Sequence, residues 1–230
     1  MHLVLVHGSY LGAWSWELVT PELERLGHTV TTVELPISDR AAGGSDYADT
    51  VIAAVDWRVP AVVVGHSMGG LVVPLVASRV PVVRMIFVAG YLPRPGECVL
   101  DQHLEERIDS PFAPSTSEWT DLGEGVWSVG PATAREIFFH DAPEDIATKA
   151  IERLRPQAYR VITERTPLVE WPPVPSWYIV LRDDRIVNPT WGREAARSRL
   201  GVEAVELPGG HCPLLSRPTD LARTLAELAG

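Results

Sequence analysis

The chain is short of several things, and each shortage excludes something. Only two of its 230 residues are cysteine, Cys98 and Cys212, too few for a disulfide framework, so a reduced, cytosolic setting is expected. No apolar run approaches the ~18 residues that a membrane-spanning helix needs. Met1-His-Leu-Val-Leu-Val begins the chain without a basic leader or a small-residue cleavage site, so no targeting segment is expected. Lysine occurs once, as Lys149, among 20 basic residues. Such an arginine skew fits GC-rich coding and points to a bacterial source. Basic residues are outnumbered by 30 acidic ones, and the net charge of −10 argues against nucleic acid or an anionic membrane as main partner. No His/Cys/Asp cluster has zinc spacing, and neither a G-x-G-x-x-G nor a P-loop pattern occurs, so no cofactor and no metal are expected.

What is present is ordinary for a globular chain: 46% hydrophobic and 22% charged residues, which removes disordered and collagen-like readings. The length suits one domain, or one domain with an insert, at ~100–200 residues each. Strand and helix patterns alternate. Leu3–Val6, Thr29–Leu35, Ala61–Val64, Val82–Ala89, Trp177–Leu181 and Val202–Leu207 read as strands. Between and after them, helical spacing appears at Trp16–Leu26, Tyr47–Trp57, Leu71–Arg79, Pro189–Leu200 and Leu221–Leu228, with Pro74 expected to distort the third. The pattern predicts an α/β fold of about six mostly parallel strands flanked by helices. Residues 93–175 break the rhythm: proline-rich, with helical patterns and a capping box, Asp141-Ala-Pro-Glu144, opening a helix to about Arg155. They are expected to form an inserted helical cap on a core made of residues 1–92 and 176–230.

Gly65-His66-Ser67-Met68-Gly69 matches the nucleophile-elbow pattern G-x-S-x-G. By composition alone that pattern arises in on the order of one in ten chains of this length. Its setting makes it specific, because an apolar strand precedes it and a helical segment follows, which lifts Ser67 clear of a sheet edge. A serine hydroxyl needs a base to take its proton, and the base needs an orienting acid. His211, in Leu207-Pro-Gly-Gly-His-Cys-Pro213, follows the last strand and is the expected base. The acid belongs at the end of the preceding strand, where Asp183 and Asp184 are both candidates. An acyl intermediate also needs oxyanion donors. These are expected from the backbone N–H of Met68 and, in the loop His7-Gly8-Ser9-Tyr10, that of Ser9; His7 itself reads as structural. Gly8, Tyr10, Trp119, Trp127, Phe138 and Phe139 are candidates for the substrate pocket.

With these residues in view, the chain resembles the α/β-hydrolase superfamily over essentially its whole length, within the branch of plant methylesterases and hydroxynitrile lyases. The likeness rests on His7-Gly-Ser-Tyr-Leu-Gly-Ala-Trp-Ser-Trp16, the elbow Gly65–Gly70, Tyr178-Ile-Val-Leu-Arg-Asp-Asp184 and Gly209-Gly-His-Cys-Pro213. Phe138-Phe-His-Asp141 and Arg153-Leu-Arg-Pro-Gln157 look like the cap of bacterial members. The resemblance implies that Asp184 is the acid, that Ser9 and Met68 hold the oxyanion, and that the cap roofs a mainly apolar pocket. Lyase members carry threonine where this chain has Gly8 and a cyanide-holding lysine where it has Cys212, so ester hydrolysis of a small-to-medium apolar molecule is the expectation. The same triad also serves carbon–carbon hydrolysis, lactone hydrolysis, cyclisation or lyase chemistry, and a ligand-binding sensor is a reading from another class. The expected partner is a small-molecule substrate, and an exposed apolar cap face could pair two copies as a homodimer.

Overall fold

Four sheet strands come first: β1 (His2–Val6), β2 (Thr29–Val33), β3 (Ala61–His66) and β4 (Val82–Val88). The structure is a computed structural model that describes every residue except Ala113 and Thr116. Every residue of β3 and Leu3–Val6 of β1 are buried, as apolar strands covered on both faces must be. β2 is threonine-rich and half-exposed because it lies at the sheet edge. Around these strands run α1 (Thr20–Arg25), α2 (Gly44–Ala53) and α3 (Val73–Ala77). Pro74 does not kink a continuous helix. A 3₁₀ turn over Ser67–Leu71 ends first, and Pro74 falls in the opening turn of α3, where no intrahelical bond requires its missing N–H.

The segment between β4 and the next sheet strand carries α4 (Val99–Glu106), β5 (Trp119–Asp121), β6 (Val126–Val129), α5 (Pro131–Ile137), α6 (Glu144–Glu152), β7 (Gln157–Ala158) and α7 (Arg160–Thr163). It is not purely helical: β5, β6 and β7 form an antiparallel sheet of their own. Those strands are two to four residues long, too short to print an alternating pattern on the sequence. The expected capping box is also absent. α6 begins at Glu144, but Pro143 caps it with no side-chain bond. The Asp141 carboxylate instead accepts the N–H of Gly210, 2.9 Å away in a distant loop.

The chain then returns to the main sheet through β8 (Ser176–Leu181), α8 (Pro189–Ala195), β9 (Val205–Leu207), α9 (Pro213–Ser216) and α10 (Pro218–Ala229). The six-stranded sheet has the order β2-β1-β3-β4-β8-β9 and is parallel throughout. Alternate residues feed two cores. Leu3, Leu5, Val62 and Val64 meet Trp16, Leu23, Leu221 and Leu225 on one face. Val4, Val6, Val63 and Phe87 meet Tyr47, Val51, Val73 and Trp191 on the other. Each fully buried aliphatic or Phe side chain of this kind contributes ~1.5–3 kcal/mol. Among the described residues, no helix is long and apolar enough to cross a membrane.

Candidate active site

Because every strand of the main sheet runs the same way, the segments leaving their carboxyl ends gather along one edge, the usual site of ligand binding in such sheets. The loop Gly8–Tyr10 follows β1, Ser67 follows β3, Tyr91 follows β4, Asp184 follows β8 and His211 follows β9.

Ser67 sits in the left-handed region, with φ 53°, a conformation that costs a non-glycine residue on the order of 1–3 kcal/mol. The flanking glycines relieve crowding. A Cβ at Gly65 would lie 2.7 Å from the Gly69 carbonyl oxygen, and one at Gly69 would lie 2.8 Å from those of Val6 and His7. The elbow is thus pressed against the end of β1. A Cβ at Gly8 would come 2.8 Å from Ser67 Cβ, so the loop after β1 rests directly on the serine.

His211 and Asp184 are almost fully buried and hydrogen-bonded, Nδ1 to Oδ2, at 2.8 Å. The other carboxylate oxygen accepts the N–H groups of Ile186 and Val187 at 2.7 and 2.9 Å, which fixes the group's plane. With Nδ1–H donating to Asp184, Nε2 is the ring nitrogen left to take a proton, and it has no hydrogen-bond partner among the described residues. Asp183 faces elsewhere: its carboxylate accepts the Gly209 N–H at 3.0 Å.

Two residues outside the expected set hold the His211 loop. His66 donates from Nε2 to the His211 carbonyl at 2.8 Å, linking the residue before Ser67 to the histidine loop. Burial, reinforced by the neighbouring His211 ring, holds the His66 pKa well below the usual imidazole value, so it stays neutral. Asp141 accepts the Gly210 N–H from the inserted segment. Neither residue carries a sequence signal, because its partner lies far along the chain.

His7 is structural. Its Nδ1 donates to the Gly8 carbonyl at 2.8 Å and its Nε2 accepts the Leu35 N–H at 3.0 Å. Burial pushes its pKa down to about 4. It therefore ties the Ser9 loop to the end of β2. The N–H of Ser9 has no acceptor among the described residues, and that of Met68 lies in the first turn of the 3₁₀ segment, where helical acceptors are lacking.

A cavity of about 370 Å³ opens above Ser67. Tyr10, Trp119 and Phe138 of the expected pocket residues line it, together with Ser9, Tyr91, Phe112, Tyr159 and Ile186. Phe139 does not: it is buried in the core. Trp127 stacks on Tyr159, ring centroids 6.3 Å apart, and is not part of the wall. Gly8 shapes the floor through its contact with Ser67. A larger hollow of about 560 Å³ between α3 and Pro167–Pro173 touches none of Ser67, Asp184 or His211. Cys212 is buried, and burial raises its thiol pKa well above the ordinary value, so it is an inert neighbour of His211. Among the described residues, no group of three or more His, Cys, Asp or Glu side chains is placed to hold a metal ion.

A parallel sheet with a strained serine after its third strand and a buried Asp–His pair after its last two has the frame of an α/β hydrolase. The chain belongs to the alpha/beta hydrolase family, whose model matches residues 3–224. Among characterised relatives it is 29% identical to Methylesterase 3 of Arabidopsis thaliana, covering 99% of this chain and 95% of that protein. It is 27% identical to Salicylic acid-binding protein 2 of Nicotiana tabacum, over 99% and 96%. In fold it matches polyneuridine aldehyde esterase, with a TM-score of 0.80, 22% identity and coverage of 100% and 99%. A pyrethroid hydrolase from Sphingobium faniae gives a TM-score of 0.80, 21% identity and coverage of 100% and 97%.

Proposed function

We propose that the protein is a carboxylic ester hydrolase acting through an acyl-enzyme on Ser67. The observation that carries this reading is the Asp184–His211 pair, whose free Nε2 belongs to a loop bonded to the nucleophile elbow. In the first half-reaction Ser67 Oγ attacks the ester carbonyl carbon and its proton passes to His211 Nε2. The N–H groups of Ser9 and Met68 hold the resulting oxyanion. Collapse breaks the ester C–O bond, the alcohol leaves with the proton from Nε2, and the acyl group stays on Ser67. Water then gives a proton to Nε2 and its oxygen to the acyl carbon, and the carboxylic acid departs as Ser67 recovers its proton. No cofactor enters either half.

The relatives named above are esterases or hydrolases by name, with one named for binding salicylic acid, which supports ester chemistry. Two positions disfavour the lyase alternative. A threonine at position 8 would collide with Ser67 Cβ, and Cys212 offers no positive charge to hold a leaving anion. Residues 93–175 act as the cap over the cavity. The free cysteines Cys98 and Cys212 fit a reducing compartment. The test is hydrolysis of p-nitrophenyl esters of increasing acyl length, with Ser67→Ala alongside. Turnover that vanishes in the variant supports the reading. Ligand affinity without turnover in the unmutated protein points to a sensor instead.

A further inference from the structure

The cavity wall mixes aromatic and aliphatic side chains with polar groups, and three phenols are among them. Tyr10 and Tyr159 hydroxyls lie 2.5 Å apart, one from the loop after β1 and the other from the inserted segment. Tyr91 lines the same cavity, and its backbone N–H donates to the Ser67 carbonyl at 3.0 Å, which places it against the elbow. Three hydroxyls carry three protons, and the Tyr10–Tyr159 bond uses one. Neither of the other two has an acceptor among the described residues. Both protons border the cavity and are open to an occupant that supplies an acceptor, a neutral hydrogen bond worth about 1 kcal/mol net.

We infer that Tyr10, Tyr91 and Tyr159 form a donor cluster that selects molecules carrying, besides the ester group, a neutral acceptor oxygen such as a ketone or ether. The substrate part of this statement rests on the ester-hydrolase reading; the binding part does not. Burial raises all three phenol pKa values above the ordinary range, helped by Tyr159 at Tyr10 and by the Asp109 carboxylate at Tyr91 and Tyr159, so the hydroxyls keep their protons at neutral pH. Asp109 lines the same cavity, with His103 Nδ1 3.2 Å from its carboxylate, and an anionic group placed by the phenols would meet that charge. Arg185, the cationic residue of the wall, already donates to the Glu136 carbonyl and stacks on Phe112. A neutral acceptor therefore fits better than a carboxylate.

The test uses a matched pair of probes, acetophenone and ethylbenzene, titrated against the whole protein by ligand-observed NMR. The unmutated protein should bind acetophenone about fivefold or more tightly, the effect of one hydrogen bond. In Tyr91→Phe and Tyr159→Phe, which keep the rings, that preference should fall to about twofold or less in at least one. Circular dichroism melts establish that each variant is folded. Equal affinity for the two probes in the unmutated protein, or an undiminished preference in both variants, overturns the inference. The p-nitrophenyl esters of hexanoic and 5-oxohexanoic acid separate the two readings. If neither is hydrolysed while the acetophenone preference and its loss hold, the ester reading fails and the donor cluster stands. If both are hydrolysed at equal kcat/KM and the probes bind equally, the donor cluster fails and the ester reading stands.

Discussion

The six-stranded core and the inserted segment are built on different terms. In the core, β1 and β3 are apolar runs sealed between two helical layers, β4 and β8 are buried over their carboxyl halves, and at those ends the chain is packed too closely to admit a Cβ at Gly8, Gly65 or Gly69 without displacement. In the insert, β5 is exposed along its length, β7 has two residues, and much of the attachment to the core is by side chains such as Arg153 to Glu17 and Arg160 to the Ala41 carbonyl. The contrast teaches where each property resides. Under the proposed function, chemistry depends on positions that admit no alternative packing, while selectivity depends on a layer with looser constraints.

If that division is right, core and insert substitutions must differ in kind. Ser67→Ala should reduce kcat by ~10³-fold or more with the fold intact, measured by ester turnover and circular dichroism. Trp119→Ala, on the cavity wall and 36% exposed, should instead raise KM several-fold and shift acyl-length preference with little change in kcat. A drop in kcat as large as that of Ser67→Ala would erase the division.

The next largest effect concerns pH. His7 is neutral in the folded protein, with a pKa of about 4 against 6.5 unfolded. Between those values the unfolded chain binds a proton that the folded one refuses, so stability is full above 6.5 and declines as pH falls toward 4. The loss is about 3 kcal/mol for His7 alone, and His66 adds in the same direction. Urea midpoints taken at about pH 7 and about pH 5 check the sign; a midpoint that rises on acidification refutes it. Gly65→Ala should cost about 1–3 kcal/mol by overpacking, since its Cβ would meet Val73 Cγ2 at 2.5 Å. Gly96→Ala in the insert meets no atom, and at φ 70° its cost is backbone strain alone; thermal melts compare the two. Smallest is Arg153→Ala. It removes 2.7 and 2.8 Å contacts to Glu17 and the stacking on Trp14, yet the pair is half-exposed, so only about 0.5 kcal/mol is expected.

The same division explains what the sequence discloses. The six main strands are legible because burial on both faces demands continuous apolar runs, and Ser67 and His211 are legible because a sharp strand-to-helix turn and a glycine-rich loop leave local marks. Asp183 and Asp184 are indistinguishable by composition and spacing; the family resemblance points to Asp184, and in the structure their hydrogen bonds, to Gly209 and to His211, separate them. The insert's small sheet leaves no periodic trace, and Asp141-x-x-Glu144 mimics a capping box although Asp141 serves Gly210. Tyr91, Tyr159 and His66 acquire their roles from partners that folding alone brings near.

Tyr178 of β8 pairs with Phe87 of β4, although the whole insert separates them in the chain. For folding kinetics, this makes the β4–β8 pairing the long closure of the molecule. It spans roughly fourfold more chain than the β3–β4 crossover, yet closure entropy grows only logarithmically, so the added cost is about 1 kcal/mol. The seam is therefore slow to find but barely sensitive to how much chain it encloses. Descendants of this scaffold can lengthen, shorten or exchange the enclosed segment, and with it what the enzyme admits, while the sheet beneath folds as before.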